Sequence, residues 1–543
     1  MNNWWKERVV YQIYPRSFQD SNGDGIGDIP GIISRLDELK ELGIGIIWLS
    51  PVYKSPDIDN GYDISDYRDI NPKFGTMADM EQLFAEASKR DIKIIMDLVI
   101  NHTSDEHDWF IKSRDKDSPY RDYYIWKPAD PDGKPPNNWT SFFMDNAWEF
   151  DPKSGEYYLH LFHEKQPDLN YRNPKVIEEV KDIMHFWMKK GASGFRCDVI
   201  NVIFKTSFED GIHRIAVTGR EHFLSQEGAH KVIQELRRDV LDHYDCFAVG
   251  ESVMINLRDA KLFSNPERKE LDMIFYFDHL QVDRLVEKYI PKRFKAGKLL
   301  EILTKWQQGL EWNAVYLENH DQPRIVSHYG NTGEYWERSA KLFATMLLTL
   351  RGTPFIYQGQ EIGMTNFDFT NIKQINDPET INVDRVLRSY LIPSFLRWKL
   401  TAPCSRDNSR TPMQWSDEPG AGFTTGNPWL GINKNHSKIN YQEQKTKATS
   451  ILNFYKNMIA LKASNRTLKY GEFAPVHSTK RVIAYTRTIQ GEEQFTVILN
   501  ISNNPATTPF EGSMVGKVVV SNTGRNTYDG NLSPWEAVVL KVW

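Results

Sequence analysis

Gly194-Phe195-Arg196-Cys197-Asp198 is a short apolar run that ends in a carboxylate. Phe247-Ala248-Val249-Gly250-Glu251 and Ala314-Val315-Tyr316-Leu317-Glu318-Asn319-His320-Asp321 have the same form. Each reads as a buried β-strand with an acid at its carboxyl end. An unpaired carboxylate in apolar surroundings is costly, so three of them need a reason. In a barrel of parallel strands, the carboxyl ends are where side chains meet to do chemistry. Five further runs read as strands: Val9–Ser17, Ile44–Pro51, Ile92–Asn101, Met273–Asp278 and Pro354–Gln358. Amphipathic helices alternate with them, and the eight together predict an α/β fold, a parallel (β/α)8 TIM barrel.

The helices carry start and stop signals. Asn173 caps one and Pro174 opens it. Val176, Ile177, Val180, Ile183, Met184 and Trp187 line one face, and Gly191 ends it. Another holds Ile32, Leu36 and Leu39 on one face and stops near Gly43. The gap between the third and fourth strands is too long for one crossover. Residues 103–172, rich in Asp, Pro, Trp and Tyr, read as a subdomain inserted on the catalytic face. Helical patterning ends near Lys469, and residues 470–543 hold short β-branched runs broken by turns. These predict a C-terminal antiparallel β-sandwich domain. The barrel then occupies 1–102 and 173–469.

The 543 residues suffice for a large barrel with smaller domains. A net charge of −5 gives no basic footprint for nucleic acid or anionic membrane. No apolar run is long enough to span a bilayer. The amino terminus lacks the basic start and apolar stretch of a signal peptide. The three cysteines, Cys197, Cys246 and Cys404, are too few and odd in number for a disulfide framework, which fits a reducing cytoplasm. A cytoplasmic monomer acting on a small molecule is the expectation.

Arg196 and Asp198 are two apart, so strand alternation puts them on one face. The guanidinium is expected to hold Asp198 ionised, as a nucleophile requires, although such a pair can also serve only the fold. Glu251 follows Ala248-Val249-Gly250, and desolvation suits it to general acid work. Two Asn-His pairs, Asn101-His102 and Asn319-His320, sit at strand ends. They could ligate zinc, but the helical His-Glu-x-x-His motif is absent.

Asp97-Leu98-Val99-Ile100-Asn101-His102, Gly194-Phe195-Arg196-Cys197-Asp198, Val249-Gly250-Glu251 and Asn319-His320-Asp321 together resemble the four signature regions of the α-amylase family, glycoside hydrolase family 13. Order, spacing and strand placement all match. Val10-Tyr11-Gln12-Ile13-Tyr14-Pro15 resembles the start of that barrel. Asp59-Asn60-Gly61-Tyr62-Asp63, Gln166-Pro167-Asp168-Leu169-Asn170 and the segment Ser405 to Trp415 resemble its oligo-1,6-glucosidase subgroup.

The resemblance implies that Asp198 is the nucleophile, Glu251 the acid/base and Asp321 the transition-state stabiliser. It implies that His102, Arg196 and His320 bind the sugar at subsite −1, that Tyr62 stacks on it, and that Asp59 and Arg406 hold the non-reducing end and close the pocket. Phe162 and Gln166 would line that pocket, and Glu379 would act at subsite +1. Val199, after the nucleophile, resembles enzymes that cleave α-1,6 bonds. The implied activity is exo-acting hydrolysis of isomaltose and short α-1,6 gluco-oligosaccharides, with sucrose or other α-glucosides also in reach. The alternatives are a trehalose-6-phosphate hydrolase, which needs a cationic phosphate site, and a sucrose isomerase, whose arginine-rich motif is incomplete at Gln281-Val282-Asp283-Arg284. A non-catalytic transport-associated relative is disfavoured, because all three acids are kept.

Asp20-Ser21-Asn22-Gly23-Asp24-Gly25-Ile26-Gly27-Asp28 spaces oxygen donors like the start of a calcium loop, without the acid at position twelve. By resemblance a structural calcium is expected on Asp20, Asn22, Asp24, Asp28 and the Ile26 carbonyl, or magnesium if the loop is tight. Departures from the subgroup pattern at Cys197, Ser252-Val253, Leu317-Glu318 and the segment 281–295 are expected to surround the leaving-group side.

Overall fold

The computed structural model describes residues 3–214, 216–285, 288–510 and 516–542. Eight parallel strands form the sheet: β1 (Val10–Ile13), β2 (Ile46–Leu49), β3 (Lys93–Leu98), β4 (Gly194–Cys197), β5 (Phe247–Glu251), β6 (Met273–Phe275), β7 (Ala314–Val315) and β8 (Thr353–Tyr357). Hydrogen-bonded order runs β6-β5-β4-β3-β2-β1-β8-β7, so the sheet curls until the outermost strands β6 and β7 face each other. There the Tyr316 hydroxyl donates to the Tyr276 carbonyl at 2.8 Å, making a nearly closed barrel.

Strand alternation sorts the side chains. Val10, Ile46, Trp48, Ile95, Phe247, Val249, Phe275 and Phe355 pack together inside the barrel. Tyr11, Ile47, Ile94, Met96, Ala248, Ile274 and Ile356 point outward into the core beneath the helices. The same alternation continues inward to Asp97 from Ile95 and to Glu251 from Val249.

Several strands are shorter than their apolar runs predict. β1 stops at Ile13 and a 3-10 turn, Pro15–Ser17, follows; Pro15 has no N–H to give the ladder. β7 is only Ala314–Val315. Beyond it the polar side chains of 318–321 satisfy the backbone locally: Glu318 accepts from Ile325 N at 2.6 Å and Asn319 Oδ1 from Asp321 N at 2.8 Å. Asp198 and Asp321 therefore lie on loops that leave the strands. The helix expected through Ile32, Leu36 and Leu39 is broken at Arg35 into Ile29–Ser34 and Leu36–Leu42, and Gly43 ends it with φ +96°. The helix Pro174–Lys190 is capped by the Asn173 side chain and stopped at Gly191.

Within residues 103–172 a small antiparallel sheet joins Trp126–Lys127, Glu156–Leu159 and Trp148–Asp151. Buried Lys205 ties this segment to the barrel, lying 2.5 Å from Asp168 and 2.9 Å from Asn101 Oδ1. After the helix Arg466–Tyr470, five antiparallel strands follow: β9 (Glu472–Ser478), β10 (Val482–Thr488), β11 (Gln494–Asn500), β12 (Lys517–Ser521) and β13 (Ala537–Val542). Their order is β9-β10-β11-β13-β12. In the three central strands β10, β11 and β13 both faces are largely buried, and alternate residues pack on opposite sides. Ile483, Tyr485, Val497 and Val539 join the main core, and the Tyr485 hydroxyl lies 2.6 Å from Thr349 Oγ1. Val482, Ala484, Ile498, Val538 and Leu540 pack with Tyr528 and Leu532 from the outer side. Among the described residues no helix is long and apolar enough to cross a membrane.

Candidate active site

At the carboxyl ends of β3, β4 and β5 a single guanidinium gathers three acids. Register places Arg196 directly beside Asp97 of β3 and beside Val249 of β5, two residues before Glu251. Arg196 Nη1 lies 2.7 Å from both Asp97 Oδ1 and Asp198 Oδ1, and Nη2 lies 2.6 Å from Glu251 Oε2. Gly250 brings β5 close to its neighbours; a Cβ there would meet Leu271 Cδ1 at 2.5 Å. Trp48 and Tyr62 donate to Asp97 Oδ2 at 3.1 and 3.0 Å.

Burial raises the pKa of Asp198, Glu251 and Asp97 alike, with Arg196 opposing the rise in each and neighbouring acids reinforcing it at Asp198 and Glu251. One cation cannot neutralise three buried carboxylates, so the cluster holds a proton that isolated acids lose. This corrects the expectation that Arg196 holds Asp198 ionised: burial, with the charges of Glu251, Asp97 and Asp321, raises its pKa against the guanidinium. A raised pKa suits Glu251 as general acid, whereas at Asp198 it opposes the ionised form a nucleophile needs.

Asp321 has the opposite setting. Arg410 Nη2 lies 2.6 Å and Arg406 Nη1 3.5 Å from its Oδ1, and His320 Nε2 lies 3.1 Å from its Oδ2. Burial pushes Asp321 up, but His320, Arg406 and Arg410 outweigh it and hold the carboxyl well below the usual range. His320 itself is pushed down to about 3, first by burial and then by the arginines, so it is neutral at pH 7. The Gln12 amide donates to its Nδ1 at 2.8 Å, which leaves Nε2–H toward Asp321. His102 is likewise pushed down by burial; its Nδ1 accepts from the Asn101 amide at 3.2 Å and its Nε2–H donates to the Tyr62 carbonyl at 3.1 Å.

These groups sit at a cavity of about 370 Å³ lined by Asp59, Tyr62, His102, Phe162, Asp198, Val199, Glu251, Asp321, Glu379 and Arg406, among others. On one side Arg406 Nη2 meets Asp59 Oδ1 at 3.0 Å. Arg406 Nε also binds Asp377 Oδ1 at 2.7 Å, and Gln166 Nε2 donates to Asp59 Oδ2 at 3.3 Å.

A family profile described as alpha amylase, catalytic domain, matches residues 12–471. The chain belongs to the α-amylase family. It is 47% identical to an oligo-1,6-glucosidase of Parageobacillus thermoglucosidasius, over 99% of each chain. It is 49% identical to an oligo-1,6-glucosidase of Bacillus cereus, over 92% of this chain and 91% of that one. The solved structure of a trehalose-6-phosphate hydrolase mutant from Bacillus licheniformis superposes with a TM-score of 0.94 at 43% identity, covering 99% of both chains. The chain is thus a glycoside hydrolase.

Not every residue expected to touch sugar reaches the cavity of this α-amylase-family chain. Arg196, His320 and Gln166 are buried behind its wall. His320 stacks under Tyr62, with ring centroids 5.2 Å apart and 6° between planes. Val199 is not a strand residue. It sits in the left-handed region (φ +35°, ψ +40°), costly for a β-branched side chain, and its N–H faces Glu251 Oε2 at 3.4 Å. Glu379 at the expected +1 position is held by Lys288 Nζ at 2.6 Å and the Tyr289 hydroxyl at 2.8 Å. Asp97, Asp377 and Arg410 were missed as site residues, though Asp97 and Arg410 stand inside motifs quoted above and Asp377 lies two residues before Glu379. Of the departures, Val253 and part of 281–295 line the cavity. Cys197 and Leu317 pack in the core and Glu318 pairs with Arg324 at 3.0 Å, so these are structural.

The Asp20–Asp28 loop offers the hard oxygen donors that calcium takes. In the structure those oxygens serve the loop itself. Asp20 Oδ1 accepts from Asn22 N and Gly23 N at 3.0 and 2.8 Å, and Asp28 Oδ2 accepts from Ser21 N at 3.0 Å. Among the described residues no group of three or more His, Cys, Asp or Glu is gathered to hold a metal ion.

Proposed function

We propose that this chain is an exo-acting, retaining α-glucosidase that releases glucose from the non-reducing end of isomaltose and short α-1,6 gluco-oligosaccharides. The observation that carries the reading is the Arg196 guanidinium bonded at once to Asp198 and Glu251, at a cavity flanked by the Asp59–Arg406 pair. Asp198 attacks the anomeric carbon as the glycosidic C–O bond breaks. Glu251 gives its proton to the departing oxygen, then takes one from the water that hydrolyses the glycosyl-enzyme. Asp321, kept ionised by Arg406 and Arg410, stabilises the positive charge that develops on the sugar ring. Tyr62 and Phe162 give the sugar apolar walls, and the Asp59–Arg406 pair stops the cavity behind one glucose.

The α-1,6 linkage rests on Val199 and on the two oligo-1,6-glucosidase relatives. A cytoplasmic monomer is the state in which we expect it to act. The test is glucose release by the purified enzyme from isomaltose, isomaltotriose, maltose, sucrose, trehalose and trehalose 6-phosphate. Isomaltose and isomaltotriose should be the best substrates. Dominance of sucrose or trehalose 6-phosphate would overturn the linkage assignment.

A further inference from the structure

Beyond the catalytic acids the cavity is walled by Val217, Val253, Met254, Leu280 and Val383. Charged groups stand among these aliphatic side chains, and nearly all have partners of opposite sign. Lys288 meets Glu379 at 2.6 Å. Arg284 Nε and His328 Nε2 share Asp283 Oδ1 at 3.3 and 3.0 Å. Lys305 holds Asp278 at 2.8 Å. Arg220 is the exception. It lines the cavity, yet among the described residues its side chain's one hydrogen-bond contact is to Met254 Sδ, at 3.6 Å, and no carboxylate lies within ion-pair distance of it.

The backbone beneath Arg220 is pinned. Gly219 adopts φ +91°, and a Cβ there would meet the Trp139 ring at 2.4 Å. The Arg220 carbonyl accepts from Leu224 N at 2.8 Å. The guanidinium is therefore presented from a fixed turn, half-buried against an apolar wall and, among the described residues, without a counter-ion. A planar fork of N–H donors in such a place matches a carboxylate or a phosphate better than it matches single hydroxyls.

We propose that Arg220 is a specificity-determining residue that binds an anionic group on the leaving group, so that the enzyme accepts α-glucosides with an acidic aglycone as well as neutral ones. This rests on the glucosidase reading of the same site. The aliphatic wall lowers the local dielectric and strengthens that charge pair, while the glucose end of the cavity is unchanged.

Kinetics of the full chain test it. Isomaltose is the neutral substrate, isomaltobionic acid its carboxylate-bearing counterpart with the same linkage, and trehalose 6-phosphate the phosphate probe, with trehalose as its neutral control. Arg220→Gln should lower kcat/KM for the acidic substrates by roughly tenfold or more, mainly through KM. Isomaltose and trehalose should change by no more than about twofold, the spread expected when no charged hydrogen bond is lost. Arg220→Lys should restore part of the loss. Added NaCl should raise KM for the acids in the wild-type enzyme and leave isomaltose alone. A larger effect with trehalose 6-phosphate names phosphate as the preferred group, and a larger effect with isomaltobionic acid names carboxylate. Equal losses on neutral and acidic substrates, or no selective loss, would overturn the proposal. If Arg220→Gln does not fold, a salt-indifferent KM for the acids in the wild type overturns it alone. Turnover of trehalose 6-phosphate without any turnover of isomaltose or isomaltobionic acid would sink the α-1,6 reading and leave this one standing.

Discussion

Arg406 Nη2 and Asp59 Oδ1 form a buried ion pair at 3.0 Å that links the segment after β2 to the segment near residue 400. Both residues line the cavity, and Arg406 is further braced by Asp377. Removing one partner of a buried pair leaves a stranded charge, which costs more than the pair contributes. Asp59→Ala should lower kcat/KM for isomaltose by roughly 10²-fold or more, with most of the loss in substrate binding. Early products from isomaltohexaose should change from glucose alone to a mixture that includes longer fragments. Continued release of glucose alone at the wild-type rate would show that the pair does not close the pocket.

Glu251 should set the alkaline limb of the pH–rate profile. Burial raises its folded pKa, so its proton persists above the ordinary carboxylate range and activity falls as pH rises through that raised value. Glu251→Gln should remove this limb and lower kcat on isomaltose by roughly 10²–10⁴-fold. An activated aryl α-glucoside, which needs little proton donation, should lose less in its first step, and azide should restore turnover. An unaltered alkaline limb in the variant would assign the acid elsewhere.

Val199 carries both a strained backbone and the linkage argument. Its φ of +35° points its N–H at Glu251, so the side chain is placed by a loop that also positions the acid. Val199→Ala keeps a Cβ and shortens the wall facing the leaving group. The ratio of kcat/KM for isomaltose over maltose should fall several-fold, by up to about tenfold for the loss of apolar contact. An unchanged ratio would mean that linkage preference is set farther out, at Val253 or along 281–291.

The barrel was legible because its strands are fully buried apolar runs and period-two alternation fixes which residues face inward. Arg196 and Glu251 follow from that rule without further information, and the same rule turns Asp97 inward although it was not read as a site residue. Asp321 does not. It was read as the end of a strand but lies six residues beyond Val315, on a loop shaped by Glu318 and Asn319, and its role came from the resemblance to a known family. Strand ends were overrun for a related reason: once side chains such as Glu318 satisfy the backbone, an apolar run no longer implies a ladder. The sharing of Arg196 among three acids was invisible too, because cross-strand register is a property of the sheet. Arg220 carried no signal, since an arginine in a loop reads as solvated until the cavity beside it is seen.

Calcium at the Asp20–Asp28 loop is proposed from resemblance, while the loop's oxygens accept from its own amides and no three acids converge. If the ion binds there, calcium added to chelator-treated protein should raise Tm by a few degrees through mass action. Asp20→Ala should abolish the rise. No shift with calcium, with kcat unchanged, would leave the loop held by its hydrogen bonds alone.

The most direct test of a retaining exo-glucosidase is the anomeric form of the first product. Proton NMR of isomaltotriose during the first minutes should show α-glucose appearing with isomaltose, ahead of mutarotation to the β form. Initial release of β-glucose, or of isomaltose from the non-reducing end, would contradict the roles assigned to Asp198, Glu251 and the Asp59–Arg406 pair.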